Sequence, residues 1–217
     1  RRFVRQGAAP RRVLATLFGE GGVQGLDDRP HHVRKAMFMR QMTHERITRF
    51  LERFDEAWAQ GLDRWEERDE IVLLEEARIV LCRAACRWAD VPDDETSVRG
   101  LAKSFGEMVG GFGSVGPRWW RARSARLDAE EWARRVIDRV RAGERPAEEG
   151  SAAAIFAFAE DADGDPLSTR VAAVELLNIL RPIVAIGRYL AFCVLAMHDR
   201  PELRRRLRED DALVESF

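Results

Sequence analysis

Two adjacent residues inside one apolar run carry the chemistry that the remaining chain must position. From Val171 to Met197 the sequence reads VAAVELLNILRPIVAIGRYLAFCVLAM, with Arg181 followed at once by Pro182. A buried guanidinium keeps its proton and must find an anion or draw in water. A proline inside a helix removes a backbone donor and presses on the carbonyl four residues back, at ~3 kcal/mol. Two such costs side by side mark a candidate anion site. At helical spacing Asn178, Ala185 and Arg188 share a face with Arg181, while Glu175 points elsewhere and is a poor internal partner. Ala185 leaves room one turn on, and a kink at Pro182 opens the backbone towards it. The anion is either a carboxylate from outside or an acid from another helix, the commoner arrangement for a buried arginine. The helix alone leaves both open.

Other constellations could also act on ligands. The stretch Asp27-Asp28-Arg29-Pro30-His31-His32-Val33-Arg34-Lys35 opens a helix, with aspartate at the cap and proline in the first turn. His31 and Lys35 fall on one face with Arg34 close by. Cations there oppose the helix dipole unless they and the free N–H groups hold an anion together. A solvated basic face balanced by Asp27 and Asp28 accounts for them equally well. The glycine loop from Gly19 to Gly25 has neither the lysine and hydroxyl of a P-loop nor a strand before it, so it reads as a turn. Cys82 and Cys86 sit four apart with no histidine or further cysteine nearby, and read as core packing rather than a metal site. Arg118-Trp119-Trp120-Arg121-Ala122-Arg123 interleaves aromatics with cations as binders of single-stranded nucleic acid do. One such patch in a neutral chain suits a positively charged lid hinge after the glycines at 110–116 equally well.

The elements that position these residues are helices. An amphipathic period covers His44 to Glu67, with Phe50, Phe54, Trp58 and Trp65 on its apolar side. A more buried helix runs from Ile71 to Trp88, another from Asp93 to Phe112, and after the glycine break a further one from Trp132 to Val140. Arg1 to Phe18 reads as basic with a short apolar-striped helix, Ala142 to Ser151 as a polar linker, and Asp161 to Pro166 as the turn into a long helix from Leu167 to Asp199. No strand pattern or repeat interrupts this order, so the fold class is mainly α, with residues 1–217 in one domain. Glu175, Asn178, Arg181 and Arg188 interrupt the long apolar run, which makes it a central core helix rather than a membrane span.

Composition excludes more than it assigns. Among 217 residues, 36 basic and 37 acidic side chains leave a net charge of −1, which gives no general pull towards nucleic acid or membrane. Lys35 and Lys103 are the only lysines. Three cysteines without a signal-peptide pattern fit a reducing cytoplasm. The chain opens on Arg1 and closes on Phe217 without an end signal, and reads as a fragment at both ends.

Three phrases give the chain a family resemblance. Leu180-Arg181-Pro182-Ile183-Val184-Ala185-Ile186 resembles the central I helix of the bacterial fatty-acid peroxygenases, a branch of the cytochrome P-450 superfamily. Val23-Gln24-Gly25-Leu26-Asp27 with His31 to Lys35 is similar to the start of their C helix, and Phe112-Gly113-Ser114-Val115-Gly116-Pro117-Arg118 to the F to G region that covers the substrate channel. The resemblance runs from about Arg1 to Phe217. It implies a fragment of the cytochrome P-450 fold, roughly helices B to J with a long central I helix, lacking the amino-terminal sheet. The Glu-x-x-Arg helix and the cysteine loop that ligates iron lie beyond Phe217 in relatives. Cys82, Cys86 and Cys193 do not match that loop, so no metal ligand is expected here.

What the resemblance implies for function is specific. Haem b is the cofactor, with His31 and Lys35 on its propionates and Arg34 an adjacent candidate. Most cytochromes P-450 carry an acid and a threonine in the central helix as a proton relay. Here Val171 to Met197 contains no serine or threonine, and Arg181-Pro182 takes that place. The family's solution is that Arg181 binds the carboxylate of a long-chain fatty acid, which then acts as general acid and base. Hydrogen peroxide is the oxidant, no reductase is required, and the alpha or beta carbon is hydroxylated. By position Phe18, Gln24, Val109, Phe112, Pro182 and Ala185 line the pocket, with Arg181, Pro182 and Gln24 nearest the reacting end. Relatives that favour terminal alkenes carry histidine where Gln24 stands, and histidine donates a proton at neutral pH where glutamine does not. Hydroxylation at carbon 2 or 3 is therefore expected over decarboxylation. The rivals are a reductase-dependent monooxygenase, a non-enzymatic helical ligand-binding protein and an inactive remnant. The missing acid–threonine pair opposes the first. The second needs a helix-turn-helix where Gly19 to Gly25 instead break the chain, and the third follows if the cysteine loop is lacking. The expectation is a bacterial, cytoplasmic oxidoreductase with a fatty acid as partner and neither nucleic acid nor membrane.

Overall fold

A computed structural model describes residues 4–210 and 213. The described residues form helices joined by turns, and the one β-type pairing among them is an isolated bridge between Glu160 and Pro166. The order is a first turn α1 (Arg11–Val13) running on as a π-helix (Leu14–Phe18), a 3-10 turn (Val23–Gly25), α2 (Asp28–Met39), α3 (His44–Glu66), α4 (Leu73–Ala89) and α5 (Glu95–Gly110). Then come α6 (Pro117–Arg141), α7 (Ala152–Ala157), α8 (Thr169–Ala185), α9 (Gly187–Asp199) and α10 (Pro201–Glu209).

The centre of the core is α8. Ser168 caps it, its hydroxyl accepting from the Val171 N–H at 3.3 Å. Every residue from Ala172 to Arg181 is buried, enclosed by α4, α5, α6 and α7. The run Thr169–Asp199 is long and apolar enough to cross a bilayer by length and composition. Its first half is instead the core helix of a bundle, and holds Glu175, Asn178 and Arg181 inside it. The expected long helix is interrupted at Ile186, one turn after Pro182, where the Ile186 N–H bonds the Ile183 carbonyl at 3.1 Å in a tightened turn before α9 resumes. On α9, Tyr189, Phe192 and Leu195 are exposed.

Small residues let α4 approach its neighbours closely. Ala77, Cys82, Ala84, Ala85, Cys86 and Ala89 are all buried, which confirms the two cysteines as core. The hydrogen bond that the Cys86 thiol donates to Cys82, and its full burial, push that thiol well above its ordinary range. Against α4 lies α3, whose Phe50, Phe54, Trp58 and Trp65 form a chain of ring contacts, with Trp65 Nε1 donating to Glu76 at 2.9 Å.

Three readings of the sequence need correction. The helix expected from Trp132 starts at Pro117 and is 25 residues long, so the Arg-Trp pairs form its first two turns. Its core stripe is built of Ala122, Ala125, Ala129 and Ala133, whose small side chains give little apolar signal between charged neighbours. Ala152–Ala157, unassigned from sequence, is a short buried helix capped by Ser151. Asp27 occupies the cap position of α2, but its carboxylate accepts from the Arg5 and Gln6 N–H groups at 2.8 and 2.9 Å rather than capping the helix.

One glycine joins the amino-terminal segment to the core. Gly19 closes the π-helix through its N–H to the Leu14 carbonyl at 2.8 Å, at φ 78° and ψ 159°, a region open to glycine alone. A Cβ there would overlap Arg126 Nη2 and come within 2.9 Å of Val174 Cγ1. Gly19→Ala is expected to lower stability by about 2 kcal/mol or more, read as a fall in the denaturation midpoint, because backbone strain and overlap add. An unchanged midpoint would show that this segment does not dock on α6 and α8.

Candidate functional site

Arg181 is the centre of the site. It is 7% exposed, its Nε has no hydrogen-bond partner, and no carboxylate lies within ion-pair distance among the described residues. Burial lowers its pKa to about 10, and the neighbouring Arg126 adds to the effect. The guanidinium is still charged at neutral pH. Its nearest ring is Phe18, whose centroid is 5.9 Å from Cζ, close enough for a cation–π contact. Of the two arrangements open from sequence, an acid from another helix is therefore not found. Glu175 does not meet Arg181, as expected, though it has a different internal role.

Phe18 is placed by Arg126, which sequence reading did not single out, and by Arg123 beside it. Arg126, fully buried on α6, pairs through Nε with Glu130 at 2.6 Å and donates from Nη1 to the Leu17 carbonyl at 2.9 Å and from Nη2 to the Phe18 carbonyl at 3.4 Å. Arg123 donates to the Ala15 carbonyl at 3.0 Å. The π-helix leaves these carbonyls free to accept, and the arginines consume them.

Gln24 is fixed from the other side by a buried polar chain. Arg34 Nη1 donates to Glu175 Oε1 at 2.8 Å and to the Gly21 carbonyl at 3.4 Å. Asn178 Nδ2 donates at 3.2 Å both to Glu175 Oε2 and to Gln24 Oε1. An ionised carboxylate only accepts, so Asn178 must turn its amide nitrogen to Glu175, and Gln24 is left with its own nitrogen as the outward donor. Burial raises the Glu175 pKa against the lowering effect of Arg34 and Asn178. Asn178 Oδ1, like Arg181 Nε, is buried without a partner. Glu175 is thus a strong internal partner, but of Arg34, whose guanidinium turns into the core.

The other expected residues are divided. Val109 and Ala185 border one narrow cleft with Phe105 and Val184. Pro182 is exposed, and Phe112, 53% exposed in the turn after α5, is not brought to that cleft. On α2, His31 is half-buried and Lys35 exposed. Burial lowers the His31 pKa, with Arg5, His32 and Lys35 adding to the effect and Asp27 opposing it. Among the described residues no group of His, Cys, Asp and Glu forms a metal site. Cys193 on α9 is half-buried.

No protein-family model matches the chain. Solved structures do, over nearly its whole length. Cytochrome P-450 SP alpha (CYP152B1) in complex with (R)-ibuprophen is 39% identical with a TM-score of 0.91, the match covering 96% of this chain and 51% of that one. Cytochrome P-450 EX alpha (CYP152N1) with myristic acid is 41% identical with a TM-score of 0.88, covering 95% and 49%. Ligand-free cytochrome P-450 OleT is 30% identical with a TM-score of 0.92, covering 96% and 51%. The class is that of the cytochrome P-450 fold, of which this chain spans about half the length of the structures it matches. Within that class its likeness is to the CYP152 branch, the fatty-acid peroxygenases whose phrases the sequence carries.

Proposed function

We propose that the chain is the substrate-holding portion of a fatty-acid peroxygenase, which hydroxylates the alpha or beta carbon of a long-chain fatty acid with hydrogen peroxide. The observation that carries this reading is Arg181, a buried guanidinium with no anion of its own among the described residues. Two of the similar structures hold myristic acid and (R)-ibuprophen, both carboxylic acids. A carboxylate docked on the planar fork is held in one orientation, with its alpha and beta carbons next in line. Phe18 sets its ring over the guanidinium, and Gln24 offers its nitrogen as a further donor.

Haem, when bound, supplies the oxidising chemistry. His31 and Lys35 are the residues that would hold its propionates, while Arg34 fixes α2 to the core through Glu175. From Val171 to Met197 no serine or threonine is present to relay protons. The bound carboxylate, kept ionised by Arg181, accepts a proton from the peroxide and returns it to the departing oxygen. Fatty acid and hydrogen peroxide give hydroxy acid and water, so no reductase enters the balance. A cytoplasmic location accompanies this reading.

The test is an intact enzyme containing this chain, given myristic acid and peroxide without reductase. Hydroxylated acid is the expected product, and a strict need for reductase and oxygen would overturn the reading. In the same assay Gln24→His is expected to raise the alkene share several-fold. An unchanged product ratio would remove Gln24 from the reacting end.

A further inference from the structure

A second site lies away from Arg181. Between α4, α5 and the first turns of α6 is a cleft of about 600 Å³, within the range of small-ligand pockets. Its wall is apolar at Ile79, Ala102, Gly110 and Gly111, and its rim carries Arg78, Arg99, Lys103, Arg118 and Arg121 against Glu75 and Glu107. Arg99 is engaged by Glu95, and Arg121 lies 3.7 Å from Glu107. Arg78, Lys103 and Arg118 have no ion-pair partner within 4.0 Å among the described residues.

Arg78 is built into this cleft rather than draped over it. Gly106 makes the room, since a Cβ there would come within 3.0 Å of Arg78 Nη1 and 3.3 Å of its Cζ. Burial and the nearby Arg188 lower the Arg78 pKa, against Glu75 and Glu107. A half-buried cation facing another cation is stabilised when an anion arrives. The start of α6 adds its positive dipole end to the same rim. Arg78 and Gly106 also border the narrow cleft that holds Val109, Val184 and Ala185, so the two spaces meet at this arginine.

We propose that the cleft between α4, α5 and α6 is a second carboxylate site, which captures the anionic head of a long-chain fatty acid at the surface while the chain lies on the apolar wall. It rests on the fatty-acid reading of Arg181 for the identity of its ligand. A cleft whose rim is mainly positive raises the local concentration of anions, and here it would gather substrate beside the narrow cleft that Ala185 borders.

An intact enzyme containing this chain, titrated calorimetrically with submicellar myristate, is expected to bind two molecules. Arg181→Ala should leave one, and its affinity should fall at least tenfold between low and high salt, as exposed cations require. Lys103→Glu with Arg118→Glu, both exposed and therefore safe for the fold, should leave the other, and combining all three should leave none. Helical circular dichroism reports that each variant is folded. Tetradecan-1-ol should not occupy the second site, and equal binding of the alcohol and the acid in Arg181→Ala would overturn a carboxylate site. A single wild-type site that vanishes with Arg181→Ala overturns this proposal and leaves the reading of Arg181 intact. A single site lost with Lys103→Glu and Arg118→Glu but untouched by Arg181→Ala supports the proposal and overturns that reading.

Discussion

Arg181→Met is expected to raise the melting temperature of the chain without added carboxylate and to abolish its carboxylate binding. The two effects have one cause. Arg181 is buried with no anion among the described residues, and its pKa is drawn down to about 10 by burial and by Arg126. Each pKa unit is ~1.4 kcal/mol, so a fall from 12.5 to about 10 costs the folded state on the order of 3 kcal/mol. In a chain of this size that is worth about 6–12 °C. Methionine keeps the aliphatic stem and leaves no partner stranded, because there was none. The pH dependence follows from the sign. A base whose folded pKa lies below its unfolded value is charged in both states at neutral pH, and the cost is fully present there. Above about pH 10 the folded state sheds the proton first, and the difference between wild type and variant shrinks. A variant that melts lower at neutral pH would mean that Arg181 has an internal anion after all.

On the binding side, a guanidinium fork makes two charge-assisted hydrogen bonds to a carboxylate, each worth roughly 1.5–3 kcal/mol. Their loss should weaken binding by at least about a hundredfold. Arg181→Lys keeps the charge but not the planar fork, so it too should lose binding and turnover in an intact enzyme. Peroxide-driven oxidation of fatty acid by either variant at wild-type rate would sink the proposed role.

The site was legible in the sequence where its cost was local. Arg181-Pro182 stands out because two unfavourable residues interrupt an apolar period, and neither needs a partner to be noticed. The periods of α3, α4 and α8 were readable because large apolar residues mark their buried faces. The start of α6 was hidden for the opposite reason, since alanine packs closely while contributing little apolar contrast. The polar network was hidden by distance along the chain. Glu175 meets Arg34 across 141 positions, and Arg126 meets Leu17 across 109, contacts that no helical spacing encodes. Only the completeness of polar pairing hinted at them, because a glutamate on a buried stretch of helix must have found a cation somewhere.

That pair gives the second large effect. Glu175→Ala is expected to destabilise the chain by about 3–5 kcal/mol, because it leaves Arg34 buried and uncompensated and takes the acceptor from Asn178. Removing both charges together, as Arg34→Met with Glu175→Leu, should recover most of that loss, since a buried pair replaced by apolar residues of similar volume is often neutral. The double-mutant cycle therefore separates the cost of a stranded charge from the worth of the pair. Glu175 also leaves a signature in acid. Its pKa is raised, so the folded state takes up the proton before the unfolded state does, and stability contributed by this group declines as pH rises above the ordinary carboxylate range. The double variant should lack that slope. It should also release Asn178 and with it the orientation of Gln24, so that an intact enzyme carrying it keeps its fold yet loses control of the ratio of hydroxy acid to alkene. A double variant as unstable as Glu175→Ala alone would show that the pair is needed for packing, and an unchanged product ratio would show that Gln24 is held by something other than this network.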